Sequence, residues 1–203
     1  MKYTLSLLSL FFVKSLHALP INVTPTYGKV THEVKDNKMT ITSKSAIACA
    51  KFDFNNNTLI AKGEHIDIKQ NKNATFIMAT NSSERADVFG KLTSQGSVFM
   101  AFPGGVHFKD GSTVNVAKLV AVAGKIDHTS LTQKKIRTIK DSGINGASII
   151  NDGNINTPDN TGLVAFIAPN AINYGQIIAR ENSIYLGNGA IQETAIDLYG
   201  DGI

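Results

Sequence analysis

The side chains that could perform chemistry in this sequence are its histidines and a set of carboxylates towards the C-terminal end. None of the spacings typical of a metal site occurs among the five histidines, His17, His32, His65, His107 and His128. Two of them, His65 and His107, lie in strand-like runs, where we expect them to face outward rather than to bind a metal. No serine lies in a nucleophile elbow, and no glycine-rich loop carries the Lys-Ser/Thr pair that binds phosphate. The sequence therefore predicts no metal site and no cofactor.

Four aspartates and one arginine leave an enzymatic alternative open. Carboxylates grouped around calcium beside a basic residue would suit cleavage of an acidic polysaccharide, and Arg180 could be that base. The aspartates concerned are Asp152, Asp159, Asp197 and Asp201. Aspartate is also a common turn former, and the segment 197–201 is too sparse for a calcium loop. We therefore expect no enzyme activity and keep a secreted carbohydrate-active enzyme as the alternative.

The composition is that of a strand-rich protein that can bury a core. The 203 residues are 42% hydrophobic and 18% charged, with 17 glycines and no tryptophan. The formal net charge of +4 is small and scattered, which argues against nucleic acid as a partner. The densest basic stretch, Lys134–Lys140, is interpreted as a solvated loop or an edge strand. The one cysteine, Cys49, has small apolar neighbours and is predicted to be a buried hydrophobe rather than a reactive thiol.

The first 18 residues have the features of a secretory signal sequence. Lys2 supplies a positive N-terminal region, and Leu5–Val13 is an apolar run of nine residues, too short to span a bilayer as a helix. Ala18 is a plausible residue just before the cleavage site. An N-terminal anchor helix is the alternative interpretation. The signal sequence predicts Sec-dependent export, so we expect a secreted protein.

A repeated block indicates the fold class. Gly96–Val106 and Gly162–Ile172 share a glycine, a valine, a proline and a second β-branched residue at an offset of 66, which is three times 22. A shorter match, of Ile150–Ile155 with Ile172–Ile177, has an offset of 22. A period near 20 residues in a strand-rich sequence is typical of a β-solenoid. The spacing therefore predicts stacked coils, with three coil lengths between the two long copies.

Irregular strands precede the regular coils. Residues 19–88 contain short alternating runs bounded by Gly, Asn or Asp and are predicted to form a cap and early strands. Residues 89–203 are predicted to form the coils, with a helix or an excursion at 126–142. No matching cap follows them, so we expect an open last coil and a chain that is part of something longer. Asn151 and Asn173, which are separated by one such period, would form either a hydrogen-bonded ladder or two separate surface turns.

Signal sequence, strand cap and coils together resemble the secretion domain of two-partner-secretion exoproteins, the filamentous-haemagglutinin type. Val88–Val116 is similar to a family stretch that carries Phe-Gly-x-Leu, Gly-x-Val-Phe-Leu, Asn-Pro-Asn-Gly-Ile/Val and Gly-x-x-Val-Asn-Val. Gly146–Ile203 and Glu64–Ile68 carry further matches. The resemblance implies that residues 19–203 form an all-β fold, a right-handed parallel β-helix with an N-terminal β-strand cap and extra-helical strands.

The resemblance also implies a recognition site. The family's Asn-Pro-Asn-Gly-Ile turn stands in this chain without its two asparagines, but Gly104, in the place of the second one, is still able to take positive φ. The residues to which the resemblance assigns transporter recognition are Phe102, Pro103, Gly104, Gly105 and Val106. A second motif-like turn contains Pro169 and Asn170.

The mechanism that the resemblance implies is export by a partner protein. An outer-membrane β-barrel transporter with periplasmic domains would capture the extended chain, which would fold outside, at the cell surface or after release. The longer exoprotein would act as an adhesin, a haemagglutinin or a contact-dependent toxin on a host-cell surface or a neighbouring cell. A gene remnant without present activity is a further alternative.

Overall fold

The protein folds almost entirely into β-strands. The computed structural model describes residues 19–133, 135–139, 146–158, 162–179, 184–188 and 193–197. These ranges contain one helix, α1 (His128–Thr132), of five residues. Within them no helix has the length and apolar character needed to cross a membrane. The signal sequence predicted for residues 1–18 lies outside the described residues.

Short strands follow one another along the described chain. Val, Ile, Phe and Thr are frequent in them, and Gly, Asn or Asp stands at many of the turns between them, as expected for strand and turn residues. In chain order they are β1 (Asn22–Tyr27), β2 (Val30–Lys35), β3 (Lys38–Ser43), β4 (Ile47–Asp53), β5 (Thr58–Ile60), β6 (His65–Lys69), β7 (Thr75–Ala79), β8 (Ala86–Val88), β9 (Lys91–Ser94), β10 (Ser97–Ala101), β11 (Gly105–Phe108), β12 (Thr113–Asn115), β13 (Leu119–Val122), β14 (Lys125–Ile126), β15 (Lys135–Ile139), β16 (Ser148–Asn151), β17 (Asn154–Thr157), β18 (Val164–Ala168), β19 (Asn170–Asn173), β20 (Gln176–Ala179), β21 (Ile184–Asn188) and β22 (Glu193–Asp197).

Three sheets run along the stack, and each full coil contributes one strand to each sheet. Sheet 1 has the order β2-β3-β6-β9-β12-β17-β20, sheet 2 the order β1-β4-β7-β10-β13-β18-β21, and sheet 3 the order β19-β16-β11-β8-β5. Coil 1 contains β3 to β5, coil 2 β6 to β8, coil 3 β9 to β11, coil 4 β12, β13 and β16, coil 5 β17 to β19, and coil 6 β20 and β21. The result is a β-solenoid of about six turns, which confirms the predicted fold class.

An antiparallel layer of two strands closes the first coil. β1 pairs with β4 and β2 pairs with β3, both antiparallel, whereas β3 and β4 pair in parallel with the strands of coil 2. The predicted N-terminal strand cap is therefore present and consists of β1 and β2. Parallel coils begin at Lys38, well before residue 89. Paired residues of sheet 1 are 27 residues apart from coil 1 to coil 2 and 26 apart from coil 2 to coil 3, so these coils do not show the period of 22.

The core lies inside the coils and is built from columns of like residues. Met39, Ile66, Leu92 and Val114 succeed one another on the inner side of sheet 1, each at most 1% exposed. Phenylalanine rings also belong to this core, and the pair Phe108–Phe166 is stacked with ring centroids 5.9 Å apart. Strands spaced about 4.8 Å apart bring equivalent side chains into contact, so the repeat in the sequence becomes a continuous apolar core.

The middle strands of sheet 2, from β4 to β18, are largely buried on both sides. Its outward side chains, among them Cys49, Ile77, Phe99 and Val120, form a second apolar cluster outside the coil interior. This double burial explains why its strands are nearly continuous apolar runs. The cover is an insertion in coil 4, between β13 and β16, which contains β14, α1 and β15 and supplies a second set of buried residues, Ile126, Leu131 and Ile136.

The insertion corresponds to the excursion predicted at residues 126–142. α1 begins after Asp127, whose carboxylate accepts a hydrogen bond from the backbone N–H of Thr129 at 3.0 Å. β15 lies between β14 and β22 in a three-stranded antiparallel sheet, sheet 4. The interpretation of the basic stretch as a loop or an edge strand is therefore wrong, because β15 has a paired strand on each side.

The two copies of the repeated block are separated by two coils rather than three. Val98 of the first copy pairs with Leu119 in the next coil, and Leu119 pairs with Val164 of the second copy in the coil after that. The second of these steps is much the longer in sequence because it contains the insertion. The offset of 66 therefore equals three periods only in chain length. The period of 22 itself is confirmed where no insertion intervenes, as in the pair Asn154 and Gln176.

Candidate functional site

The turn predicted to carry transporter recognition joins sheet 2 to sheet 3 in coil 3. The backbone N–H of Gly105 donates to the carbonyl of Phe102 at 2.8 Å, which closes a four-residue β-turn. Pro103 takes the second position of the turn, where its fixed φ is favourable. Gly105 has a φ of +87°, whereas Gly104 is not among the residues with positive φ. Gly104 therefore does not adopt the positive φ open to it, because the left-handed residue is the fourth of the turn, Gly105, rather than the third.

Both ends of this turn are fixed in the core. Phe102 is 0% exposed, and its ring centroid lies 6.0 Å from that of Phe54 in coil 1. Val106 is also 0% exposed and pairs with Ala86 below it and Ile149 above it. The apolar residues at the two ends of the motif therefore anchor the corner of coil 3 to the coils on both sides.

The two glycines lie against the backbone of the neighbouring coils. A Cβ atom added to Gly104 would collide with the backbone of Ser83 and Glu84 in coil 2, and one added to Gly105 would collide with the backbone of Ser148 in coil 4. Glycine is therefore required here by close approach as well as by φ. Pro103 is buried and Gly104 is half-buried, so the folded stack encloses most of the motif.

The second motif-like turn lies at the same corner, two coils further along. Gly105 pairs with Ser148, and Ser148 pairs with Asn170, so Gly105 and Asn170 occupy one column of sheet 3. Val106 accordingly aligns with Ala171 through Ile149, one residue before the match with Ile172 that the sequence repeat indicates. Pro169 is half-buried and Asn170 is exposed, so this turn is more open than the first.

The outer side of sheet 1 carries a hydrogen-bonded network that the sequence does not reveal. The hydroxyl of Thr93 donates to Asp67 at 2.9 Å, so Nε2–H of His65 donates to Thr93, at 2.7 Å. Lys38 forms an ion pair with Asp67 at 2.6 Å. Burial would raise the pKa of Asp67, but the hydrogen bonds from Lys38 and Thr93 and the lysine charge outweigh it and lower the pKa. Burial lowers the pKa of His65, assisted by Lys38 and Lys91 and opposed by Asp67.

A second polar group lies on the outer side of sheet 3. Nε2 of His107 donates to a carboxylate oxygen of Asp152 at 2.6 Å and joins coil 3 to coil 4. Asp87 accepts from Arg85 at 2.7 Å and lies 3.5 Å from the ammonium of Lys109. His65 and His107 thus both face outward, as predicted, and both bind neighbouring protein side chains.

The proposed asparagine ladder is present. Nδ2 of Asn151 donates to Oδ1 of Asn173 at 2.7 Å, and Oδ1 of Asn151 accepts from the backbone N–H of Gly153 at 3.2 Å. Asn151 is 0% exposed, whereas Asn173 is exposed. Of the two interpretations that the sequence leaves open, the structure selects the ladder.

The residues of the enzymatic alternative are not brought together within the described residues. Asp152 binds His107, as described above, and Asp159, Arg180 and Asp201 lie outside the described residues. Asp197 ends β22, and its side chain is not described. In the described part of the chain, no group of three or more His, Cys, Asp or Glu side chains could hold a metal ion.

Cys49 is a buried hydrophobe, as predicted. It is 0% exposed and has a free thiol on the outer side of sheet 2. Burial raises the pKa of this thiol to about 11, an effect that a hydrogen bond with Thr26 partly offsets.

Two known proteins are similar to this chain in sequence or in fold. A heme/hemopexin-binding protein of Haemophilus influenzae is 28% identical over 186 residues, which covers 86% of this chain and 20% of the relative. The crystal structure of the HMW1 secretion domain, also from Haemophilus influenzae, superimposes with a TM-score of 0.68 at 19% identity. It covers 86% of this chain and 45% of the solved chain. No family model matches.

The chain thus spans about a fifth of the length of the curated relative and under half of the solved chain. The cap, the stacked coils and the antiparallel insertion are features of the chain's own structure, and the superposition shows that the overall fold is shared with a secretion domain. The chain therefore has the fold of a two-partner-secretion domain, which confirms the resemblance predicted from its sequence.

Proposed function

We propose that this domain is the export signal of a longer exoprotein and that an outer-membrane β-barrel transporter with periplasmic domains captures it in extended form. Addition of a strand of this chain to an open sheet edge of a periplasmic domain would supply main-chain hydrogen bonds, with side-chain pockets adding specificity. The contacts would be made by residues 102–106, which the resemblance assigns to recognition, and by the second turn at 169–170.

The observation that carries the proposal is the enclosure of the first turn. Phe102 and Val106 are fully buried, and the backbones of Ser83–Glu84 and Ser148 lie directly against Gly104 and Gly105. A partner could contact the side chains of Phe102 and Val106 only before coils 2, 3 and 4 stack. Capture of an extended chain, followed by folding beyond the membrane, is consistent with this order of events.

Folding outside the cell would assist export. Each coil that forms adds inward apolar side chains to the column below it, and burial of apolar surface contributes about 25 cal/mol per Å². A chain that has formed coils on the outer side would have to lose this free energy before it could slide back. We therefore place the folded domain outside the cell, either at the outer-membrane surface or released.

The activity of the longer protein would lie outside this domain. We infer an adhesin, a haemagglutinin or a contact-dependent toxin that acts on a host-cell surface or a neighbouring cell. The heme/hemopexin binding named for the curated relative belongs to that protein. His65 and His107, two histidines that could serve as haem ligands, bind Thr93 and Asp152 in this chain. The site therefore gives no reason to assign heme or hemopexin binding to this chain.

The test is export by candidate barrel transporters co-expressed with the chain. Pro103→Asp and Val106→Asp should reduce secretion, because each places a carboxylate in the recognition turn. Val114→Asp is the matched control: Val114 and Val106 are both 0% exposed and inward, so both aspartates impair the core similarly. Normal secretion of both turn variants would refute the recognition role of the turn. A loss of secretion in Val114→Asp equal to that in Val106→Asp would also refute it.

A further inference from the structure

Sheet 4 joins two parts of the chain that are far apart in sequence. β14 and β15 belong to the insertion in coil 4, whereas β22 follows coil 6. The strands β15 and β22 pair antiparallel over five residues, from Lys135 opposite Asp197 to Ile139 opposite Glu193. The last strand therefore reaches back across two coils and pairs with the insertion.

The insertion needs a partner to hold its shape. α1 has five residues, and β14 has two, so β15 is paired through only two residue pairs on that side. A helix this short is unstable alone, and a two-stranded ribbon is marginal. Yet this insertion covers the outer cluster of sheet 2 and buries Leu131 and Ile136, both 0% exposed.

We propose that β22 is a latch that closes the domain: its pairing with β15 completes sheet 4 and holds the insertion on the apolar outer side of sheet 2. Because β22 follows β3 to β21 in chain order, coils 1 to 5 can stack before the latch closes. Opening of the latch exposes the insertion and the sheet beneath it while the inner core stays intact. This device is a property of the folded domain and does not depend on a transporter.

The hydrogen-bond pattern shows which residues of β22 hold the latch. The carbonyl of Arg137 accepts from the N–H of Asp127 at 2.9 Å, and the N–H of Arg137 donates to Oγ of Ser130 at 3.0 Å. The main-chain groups of Arg137 therefore point away from β22. Because these directions alternate along a strand, the positions that exchange hydrogen bonds with β22 are those of Ile196 and Thr194, and the position of Ala195 is a non-hydrogen-bonded one.

Limited trypsin digestion of the folded protein tests the latch, because Lys135 and Arg137 are cleavage sites inside β15. Ile196→Pro removes a main-chain donor to β15 and should raise cleavage at these sites about tenfold, the change expected for loss of about one hydrogen bond. Ala195→Pro is the matched control, since its N–H points away from β15, and it should change the rate less than about twofold. Equal cleavage of the two variants would overturn the proposal.

A crosslink provides the opposite perturbation and does not depend on the folding of a proline variant. Arg137→Cys with Ala195→Cys places two thiols at a non-hydrogen-bonded pair, where Cα atoms are about 4.5 Å apart, within disulfide range. The buried Cys49, with its thiol pKa of about 11, does not compete. The oxidised protein should be cleaved at Lys135 at least about tenfold more slowly than the reduced protein. Failure of the disulfide to form, or equal cleavage of both forms, would refute the latch.

Discussion

The substitution Gly105→Ala tests whether adjacent coils approach each other as closely as the structure indicates. Gly105 combines a φ of +87° with an approach so close that a Cβ atom would collide with the backbone of Ser148 in coil 4. Gly111 is the matched control, because its φ is +79° and no atom lies within 4 Å of the position of its Cβ. The two alanine variants therefore share the backbone strain and differ in the collision.

The expected magnitude follows from that difference. A residue with a Cβ at positive φ costs about 1–2 kcal/mol, and restriction of the unfolded chain offsets about 0.4–1 kcal/mol of it; both effects are common to the two variants. The additional cost at Gly105 is that of overpacking, about 1–3 kcal/mol. We therefore expect Gly105→Ala to be less stable than Gly111→Ala by about 1–3 kcal/mol.

Urea denaturation followed by far-ultraviolet circular dichroism measures both free energies of unfolding under the same conditions. The two variants should have similar dependence on urea concentration, so that a shift of the midpoint reports stability alone. Free energies of unfolding that agree within about 0.5 kcal/mol would refute the close approach of coils 3 and 4 at this corner.

Three further outcomes are expected. Asn151→Ala should lower the free energy of unfolding by about 1–3 kcal/mol, because it leaves the buried N–H of Gly153 without its acceptor. Asn173→Ala should lower it by less than about 1 kcal/mol, because Nδ2 of Asn151 keeps the carbonyl of Gln176 at 3.5 Å as a second acceptor; equal urea midpoints of the two variants would contradict this. Since the pKa of His65 is lowered in the folded state, its contribution is present above the usual histidine pKa and is lost as pH falls. His65→Gln should therefore flatten the decline of the urea midpoint between about pH 7 and about pH 5. A variant whose urea midpoint declines with pH as steeply as that of the unmodified protein would contradict the lowered pKa of His65. Cys49 should not react with a thiol reagent at pH 8 in the folded protein and should react in urea; rapid reaction without urea would contradict its burial.

The stacked architecture is predictable because each coil repeats a local pattern. Inward positions such as Val98, Leu119 and Val164 are apolar in every coil, and glycine or asparagine marks the corners. Residues that stack on one another in the core are mostly alike in size and polarity, so the period of 22 is visible in the sequence. The asparagine ladder follows from the same rule.

The features that escape prediction depend on contacts that no local pattern records. Nothing in the sequence between Ile126 and Ile139 shows that the insertion pairs with Glu193–Asp197, because antiparallel pairing depends on where the last coil ends. The same insertion lengthens the sequence between the two copies of the repeated block, so that a separation of two coils has the sequence length of three. The left-handed residue at Gly105 rather than Gly104 depends on which neighbouring backbone approaches, and a sequence with two adjacent glycines does not distinguish them.

One inward column of sheet 3 changes character halfway along the stack: Ile60, Val88 and Phe108 are followed by Asn151 and Asn173. If the stack slipped so that coil 5 lay directly on coil 3, the amide of Asn173 would lie on Phe108 and lose its hydrogen bond with Asn151, which contributes about 0.5–1.5 kcal/mol. An all-apolar column would tolerate that slip. The change from hydrocarbon to amide thus distinguishes coils 4 and 5 from coils 1 to 3 and disfavours a stacking order in which coil 5 lies on coil 3.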